Sequence, residues 1–219
     1  MIKVSDAVKE IVGDSEEVLS CLSQGVLNLS AYAKRILPAV ERRTKKPVKH
    51  GTIVAALARY AREMEVKSPI VPAVTWRDIA VKSGLIEIAF DKTRANRERL
   101  QVLYQTPQFQ AADFLTVTHG VGELSIIINE DLEQSVVRIF GRQKPKFVLR
   151  GLCGLTVRFD EHYIHEPGLT LSLVRKVAIK RINIVELVST FTELTFLLYE
   201  SDMSSALAEF VPSPKTKTR

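Results

Sequence analysis

His162 and His165 stand three residues apart, with Asp160, Glu161 and Glu166 around them. Imidazole and carboxylate groups are the material of a metal centre, but a metal requires three or four ligands converging on one point. The same residues read more simply as a solvated polar loop, so no metal is assigned. His50, next to a basic stretch, and His119, in a glycine-rich turn, are expected at the surface. Cys21 and Cys153 are far apart and lack the spacing of a metal knuckle or a redox pair. The chain has no Ser-His-Asp elbow, no phosphate-binding glycine loop and no His-Glu-x-x-His motif. Its 25 acidic residues are scattered, and nothing selects a general acid and base among them. The chemistry on offer is recognition, and the expectation is a non-enzymatic protein without a cofactor.

Charge supplies one kind of recognition. The formal net charge is +6, and it is unevenly placed. Lys34, Arg35, Arg42, Arg43, Lys45, Lys46, Lys49, Arg59 and Arg62 face a single acid, Glu41, over the same stretch, and Lys215, Lys217 and Arg219 make the C-terminus basic. Such asymmetry suits a polyanionic partner. DNA would be met by Arg42, Arg43, Lys45, Lys46 and Lys49; alternatively, the same charges merely solvate a small helical bundle used for packing or dimerisation. No apolar run approaches the ~18 residues that span a bilayer. The opening MIKVSDAVKEIVGD interleaves charges with valines rather than forming a signal-peptide core. The expected setting is the reducing cytoplasm, with no membrane.

The elements that position these residues fall into two regimes. Residues 1–65 carry only helical signals: Asp14 and Glu17 at capping-box spacing, a break at 25–28, Ser30 as a second cap, and Ala33, Ile36, Leu37 and Val40 on one face. Pro38 inside that pattern predicts a kink or an early stop. A further helix over 51–64 follows from Ile53, Leu57, Tyr60 and Met64. Short helices joined by tight turns give a helix-turn-helix-like domain. Pro69 and Pro72 place a linker at 66–75. Beyond it the pattern alternates: a strand at 85–90, a helix at 94–104, strands at 114–118 and 123–129, a helix at 132–140 and a strand at 146–150. The turn His119-Gly120-Val121-Gly122 between the paired strands predicts glycines with positive φ. The order then recurs with a strand at 152–160, a helix from Pro167, strands at 183–189 and 193–200, and a helix through Met203, Leu207 and Phe210.

The recurrence is a true internal repeat. ELSIIINEDLEQSVVRIF from Glu123 aligns without a gap on ELTFLLYESDMSSALAEF from Glu193, an offset of 193 − 123 = 70. The same offset carries Gly84-Leu85 onto Gly154-Leu155 and Phe114-Leu115 onto Ile184-Val185. The predicted fold is α+β: the helical domain 1–65, the linker 66–75, two ferredoxin-like βαββαβ units at 76–150 and 151–212, and a basic tail at 213–219. Helices cover one face of such a sheet, leaving the other face or its edges for a partner, and the second unit is the obvious one.

EPGLTLSLVRKVAIKRINIVELVST, from Glu166 to Thr190, resembles the signature of the ACT domain, the small-molecule sensing module of amino-acid metabolism. It is most similar to the paired regulatory ACT domains of aspartokinases, and the helical segment ahead of the pair is similar to predicted regulators of amino-acid metabolism. The carrying residues are Pro167-Gly168, Asn183-Ile184, Glu186 and Ser189-Thr190. The resemblance implies an effector, an amino acid or related metabolite, held by the backbone of Gly168, Leu169 and Thr170. Asn183 and Ile184 would lie opposite, acting across an interface, with Glu193 toward the ligand amine. It also implies a homo-oligomer formed through the ACT sheets. Arg181 stands where the family commonly has glycine, and STFTEL is one residue longer than the usual pattern, which loosens the place of Glu193. In the first copy the 70-residue offset puts Arg97-Glu98 and Asp113 at the key positions, implying a scaffold rather than a sensor. The leading expectation is an amino-acid sensor. The alternatives are a DNA-binding regulator whose ACT pair dimerises and a regulatory subunit of a separate enzyme.

Overall fold

A computed structural model describes residues 2–64 and 72–211. The chain divides into two compact units, residues 1–72 and 73–219. Most of the expected linker and the basic tail 213–219 lie outside the described residues.

The first unit is helical: α1 (Val4–Gly13), α2 (Glu16–Ser23), α3 (Leu29–Thr44) and α4 (His50–Met64). Their apolar stripes close on one core of Val8, Val12, Leu22, Ile36, Val40, Ile53 and Leu57. α3 packs on α1 and α4, while the main contacts of α2 are also with α1 and α4. Two expected caps move by a residue or two. Ser15, not Asp14, opens α2 by accepting from the Val18 amide, and Asn28, not Ser30, opens α3 by accepting from Ala31 at 3.0 Å. Each wins because its side chain sits three residues before a free amide, the geometry a cap requires. Pro38 does not stop α3. Ile36 and Val40 are buried on either side of it, and that packing holds the helix across the missing hydrogen bond.

The second unit contains β1 (Trp76–Asp91), α5 (Arg94–Gln105), α6 (Pro107–Gln110), β2 (Leu115–His119), β3 (Glu123–Asn129), α7 (Glu133–Phe140), β4 (Phe147–Phe159), α8 (Leu169–Ile179), β5 (Glu186–Ser189), β6 (Glu193–Tyr199) and α9 (Met203–Ala208). One antiparallel sheet runs in the order β2-β3-β1-β4-β6-β5. The strands expected at 146–150 and 152–160 are a single strand, β4, so the boundary expected at 150/151 falls inside it. β1 and β4 pair along almost their whole lengths, from Trp76↔Phe159 to Ala89↔Phe147. β1 therefore flanks β3 with one half and extends the partner repeat with the other, and β4 does the same beside β6. The two repeats are interlocked rather than set end to end.

Two glycines make the interlock possible. The β1–β4 register slips by one residue between Lys82 and Leu85 and back between Leu85 and Glu87, a bulge on each strand. Gly84 and Gly151 stand at these bulges with φ of +68° and +66°. Leu85 pairs with Asn129 and Leu152 with Tyr199, so in the first strand the repeats correspond at 152 − 85 = 67. The match of Gly84-Leu85 to Gly154-Leu155 is thus three residues out of register. From Glu123 onward the 70-residue offset holds: β3 and β6, the 3-10 turns Glu130–Leu132 and Glu200–Asp202, and the helices behind them coincide.

Ile86, Ile88, Phe90, Ile126 and Ile128 pack under α5 and α7, and Leu155, Val157, Phe159, Phe196 and Leu198 under α8 and α9. Each bulge switches the inward parity of its strand. The helix-free face has its own core of Leu85, Ile127, Leu152 and Leu197, covered by Phe114, Val185 and Val188. It is covered because the sheet curls until its two edges meet: Thr118 on β2 donates to Glu186 on β5 at 3.3 Å. The hairpin at Gly120–Gly122 closes without a left-handed residue. The Gly120 amide simply donates to the Glu123 carbonyl, and Thr190 makes the same bond to Glu193 in the second copy, without glycine.

Candidate functional site

Phe159 ends β4, and the chain then takes nine residues to reach α8, against two between β1 and α5. This longer loop is tied to the start of β1. The Tyr163 hydroxyl accepts the Thr75 amide at 3.1 Å and meets the Thr75 hydroxyl at 2.9 Å. Arg77 pairs with Asp160, which holds the Asp160 carboxyl below the usual carboxylate range. Trp76 sets its edge against Phe210, and the Lys176 ammonium lies 5.2 Å over the Trp76 ring.

The loop ends at Gly168 with φ +89°, a left-handed residue that caps α8 from outside the helix. α8 therefore begins at Leu169, two residues after the expected Pro167. The Leu169 amide turns back onto the Glu166 carbonyl at 3.3 Å, and Ser172 makes the first helical bond to Gly168 at 2.9 Å. The amides left at the helix start are those of Thr170 and Leu171. In the first copy the corresponding start carries a side-chain cap that α8 lacks: the Thr93 hydroxyl accepts from the Asn96 backbone amide, and the Asn96 side chain donates to the Asp91 carbonyl. Thr93, not Glu98, is the counterpart of Gly168, because the unequal loops shift the helices relative to the strands.

A cavity of about 230 Å³ opens between the start of α8 and the β5–β6 hairpin. Phe159, Ile164, Leu169, Leu173, Phe191 and Leu194 form its apolar wall, and Thr170, Ser189 and Thr190 its polar rim. Beyond Phe159 lies a second, charged hollow of about 380 Å³ with Arg77, Asp78, Arg158, Glu161, Thr192 and Glu193. Its Arg77, Asp78, Arg158 and Glu193 are each paired. Arg158 donates to Glu193 at 2.7 Å and lies 3.9 Å from Asp78.

Of the residues anticipated for a ligand, Leu169 and Thr170 line the cavity and Gly168 caps the helix beside it. Asn183 and Ile184 do not join them. They follow the far end of α8, an 11-residue helix, so about 16 Å of helix separates them from Gly168. Ile184 packs into the core under the helix, and Asn183 is exposed. Glu193 sits in the charged hollow on Arg158. Phe159, Ile164, Leu173, Ser189, Thr190, Phe191 and Leu194 line the cavity without having been singled out from the sequence for a ligand, although Ser189-Thr190 carried part of the family resemblance. Arg181 does adopt the left-handed backbone, φ +58°, at a cost of about 1–2 kcal/mol.

Elsewhere, His162 stacks on Tyr163 with ring centroids 4.0 Å apart, and among the described residues no three His, Cys, Asp or Glu side chains converge for a metal. Cys153 is buried, and burial pushes its thiol up to about 11. Arg43 is held by Glu10 and Asp14, whereas Arg42, Lys45, Lys46 and Lys49 are exposed with no acidic partner among the described residues. Among the described residues no helix is long and apolar enough to cross a membrane.

Neither family models nor curated proteins match the chain. Solved structures do. The ligand-free regulatory subunit of aspartate kinase from Thermus thermophilus superposes with a TM-score of 0.51 at 13% identity, over 64% of this chain and 96% of its own. The regulatory subunit from Thermus flavus gives 0.51 at 12%, over 64% and 97%. The aspartate kinase of Clostridium acetobutylicum gives 0.52 at 14%, over 67% of this chain and 36% of the kinase, so the chain spans about a third of that enzyme. The likeness is one of fold. The arrangement of elements is that of the aspartate kinase regulatory subunits, the proteins whose paired domains residues 166–190 resemble.

Proposed function

We propose that this chain is a non-enzymatic regulatory protein of the cytoplasm whose second repeat senses an amino acid or a related carboxylate. The observation that carries this reading is the cavity between the α8 start and the β5–β6 hairpin. An effector carboxylate takes the Thr170 and Leu171 amides, where the helix dipole favours an anion, with the Ser189 and Thr190 hydroxyls beside it. The two repeats act as interlocked ferredoxin-like βαββαβ units, β4 completing the first and β1 the second. The first repeat, whose helix start is capped by Thr93, is scaffold.

The output follows the chain. The loop 160–168 that borders the cavity also grips Thr75 and Arg77, the residues by which the linker enters the sheet. An effector that binds one position of this loop better than another shifts the equilibrium between them. Asn183 and Ile184 enter only as groups offered to a second copy of the chain in a homo-oligomer. A calorimetric screen of the proteinogenic amino acids against the full chain tests this reading. It should find a saturable binder that Thr170→Trp, filling the cavity from an exposed position, abolishes without lowering the Tm. A folded protein that binds none of them removes it.

A second reading rests on Arg42, Lys45, Lys46 and Lys49. Arg42 stands in the last turn of α3 and the others at and after its end, where the Val48 amide donates to the Glu41 carboxylate at 3.0 Å and ties the loop back to the helix. In this reading the helical unit is helix-turn-helix-like and meets DNA. Duplex affinity would then fall steeply with salt and drop on charge reversal at these positions. Unchanged affinity after reversal rules it out.

A further inference from the structure

We infer that the effector carries a compact apolar side chain, so that the cavity discriminates against amino acids with charged side chains. The inference rests on the sensor reading above and names the ligand class for that same site. Two observations carry it. Among the described residues no ionisable side chain lines the cavity: the wall is Phe159, Ile164, Leu169, Leu173, Phe191 and Leu194, and the polar rim is limited to the neutral hydroxyl residues Thr170, Ser189 and Thr190. An ammonium or a second carboxylate pushed against that wall would lose its water and find no counter-charge, which is strongly unfavourable. The charges in the hollow on the other side of Phe159 are already engaged, Arg158 with Glu193 and Arg77 with Asp160.

Size and the entrance agree. A volume of about 230 Å³ lies below the ~300–1,000 Å³ typical of drug-sized pockets, which suits a single amino acid or its 2-oxo acid and little more. Phe191 stands at the mouth 69% exposed, a large apolar ring in water next to an apolar wall. An apolar ligand gives that ring something to cover, whereas a charged one would have to keep its solvent there.

Titration calorimetry on the full chain separates the outcomes. One panel contains leucine, isoleucine, valine, methionine and phenylalanine; the other contains lysine, arginine, aspartate and glutamate. The proposal expects binding from the first panel only, at least about tenfold tighter than any member of the second, with a negative heat-capacity change from buried apolar surface. Leu169→Asp, which puts a charge on the half-buried wall, should weaken the apolar binder by at least about tenfold; Val121→Asp, on the opposite hairpin turn, should leave it unchanged. Binding confined to the charged panel overturns the class and leaves the sensor reading standing. An apolar binder indifferent to Leu169→Asp overturns the site. Silence from both panels overturns the sensor reading and this inference with it.

Discussion

Glu87 is the least expected residue of the fold. It is 5% exposed on the helix-free face, where the Ser125 hydroxyl donates to it at 2.6 Å and its carboxyl bonds that of Glu186. β1 and β5 are not neighbours in the sheet, so this pair exists only because the sheet curls. Burial first, then the bond to Glu186, pushes Glu87 up to about 7 from 4.5, against the opposing pull of Ser125. Between those values the folded chain holds a proton that the unfolded chain has lost. The stability it contributes is therefore complete below about pH 4.5 and disappears as pH rises through about 7. The Tm should fall between pH 5 and pH 7.5, and Glu87→Gln, which keeps a neutral hydrogen-bonding group, should flatten that slope. An unchanged slope in the variant would place the titration elsewhere. None of this was legible in the sequence, since nothing at Glu87 or Glu186 signals that strands so far apart in sheet order will touch. Leu169 and Thr170 were singled out through the family resemblance of residues 166–190, since a Pro-Gly pair alone marks any loop-to-helix junction. Ser189 and Thr190 needed the hairpin placed first.

At the scale of elements, the periodicities of 3.6 and 2 placed nearly every helix and strand, and Glu123–Asn129 fell where alternation put it. The failures share a cause. β4 was read as two strands because Arg150 and Gly151 interrupt its apolar run, and that interruption is a bulge. A constant offset over later elements then drew Gly84 onto Gly154 when its counterpart is Gly151. A Cβ at Gly84 or Gly151 would meet nothing within 4 Å, so only the backbone asks for glycine at either position. Gly84→Ala and Gly151→Ala should each destabilise by about 1–2 kcal/mol, the cost of a left-handed alanine, read as a shift in the denaturant midpoint. A neutral outcome at both would mean that the bulges relax and do not hold the interlock.

The whole molecule has two units on one chain, and the second is a single compact body despite its repeat. Residues 73–211 expressed alone should show one sharp thermal transition. Residues 73–145, cut ahead of β4, should not fold, because Ile79–Lys82 loses its partners on Gly154–Val157. A stable, cooperatively melting 73–145 fragment would contradict the interlocked topology. The likeness to the aspartate kinase regulatory subunits is at this scale too, and at 12–14% identity it resides in the arrangement of elements rather than in the residues of the cavity. The central claim, that the start of α8 receives a small carboxylate, is tested most directly by amide chemical shifts as the chain is titrated with pooled amino acids. The account predicts saturable movement of the Thr170 and Leu171 amides, with the Thr93 and Asn96 amides of the first repeat unmoved. Still spectra at Thr170 and Leu171, or shifts confined to other surfaces, would contradict it.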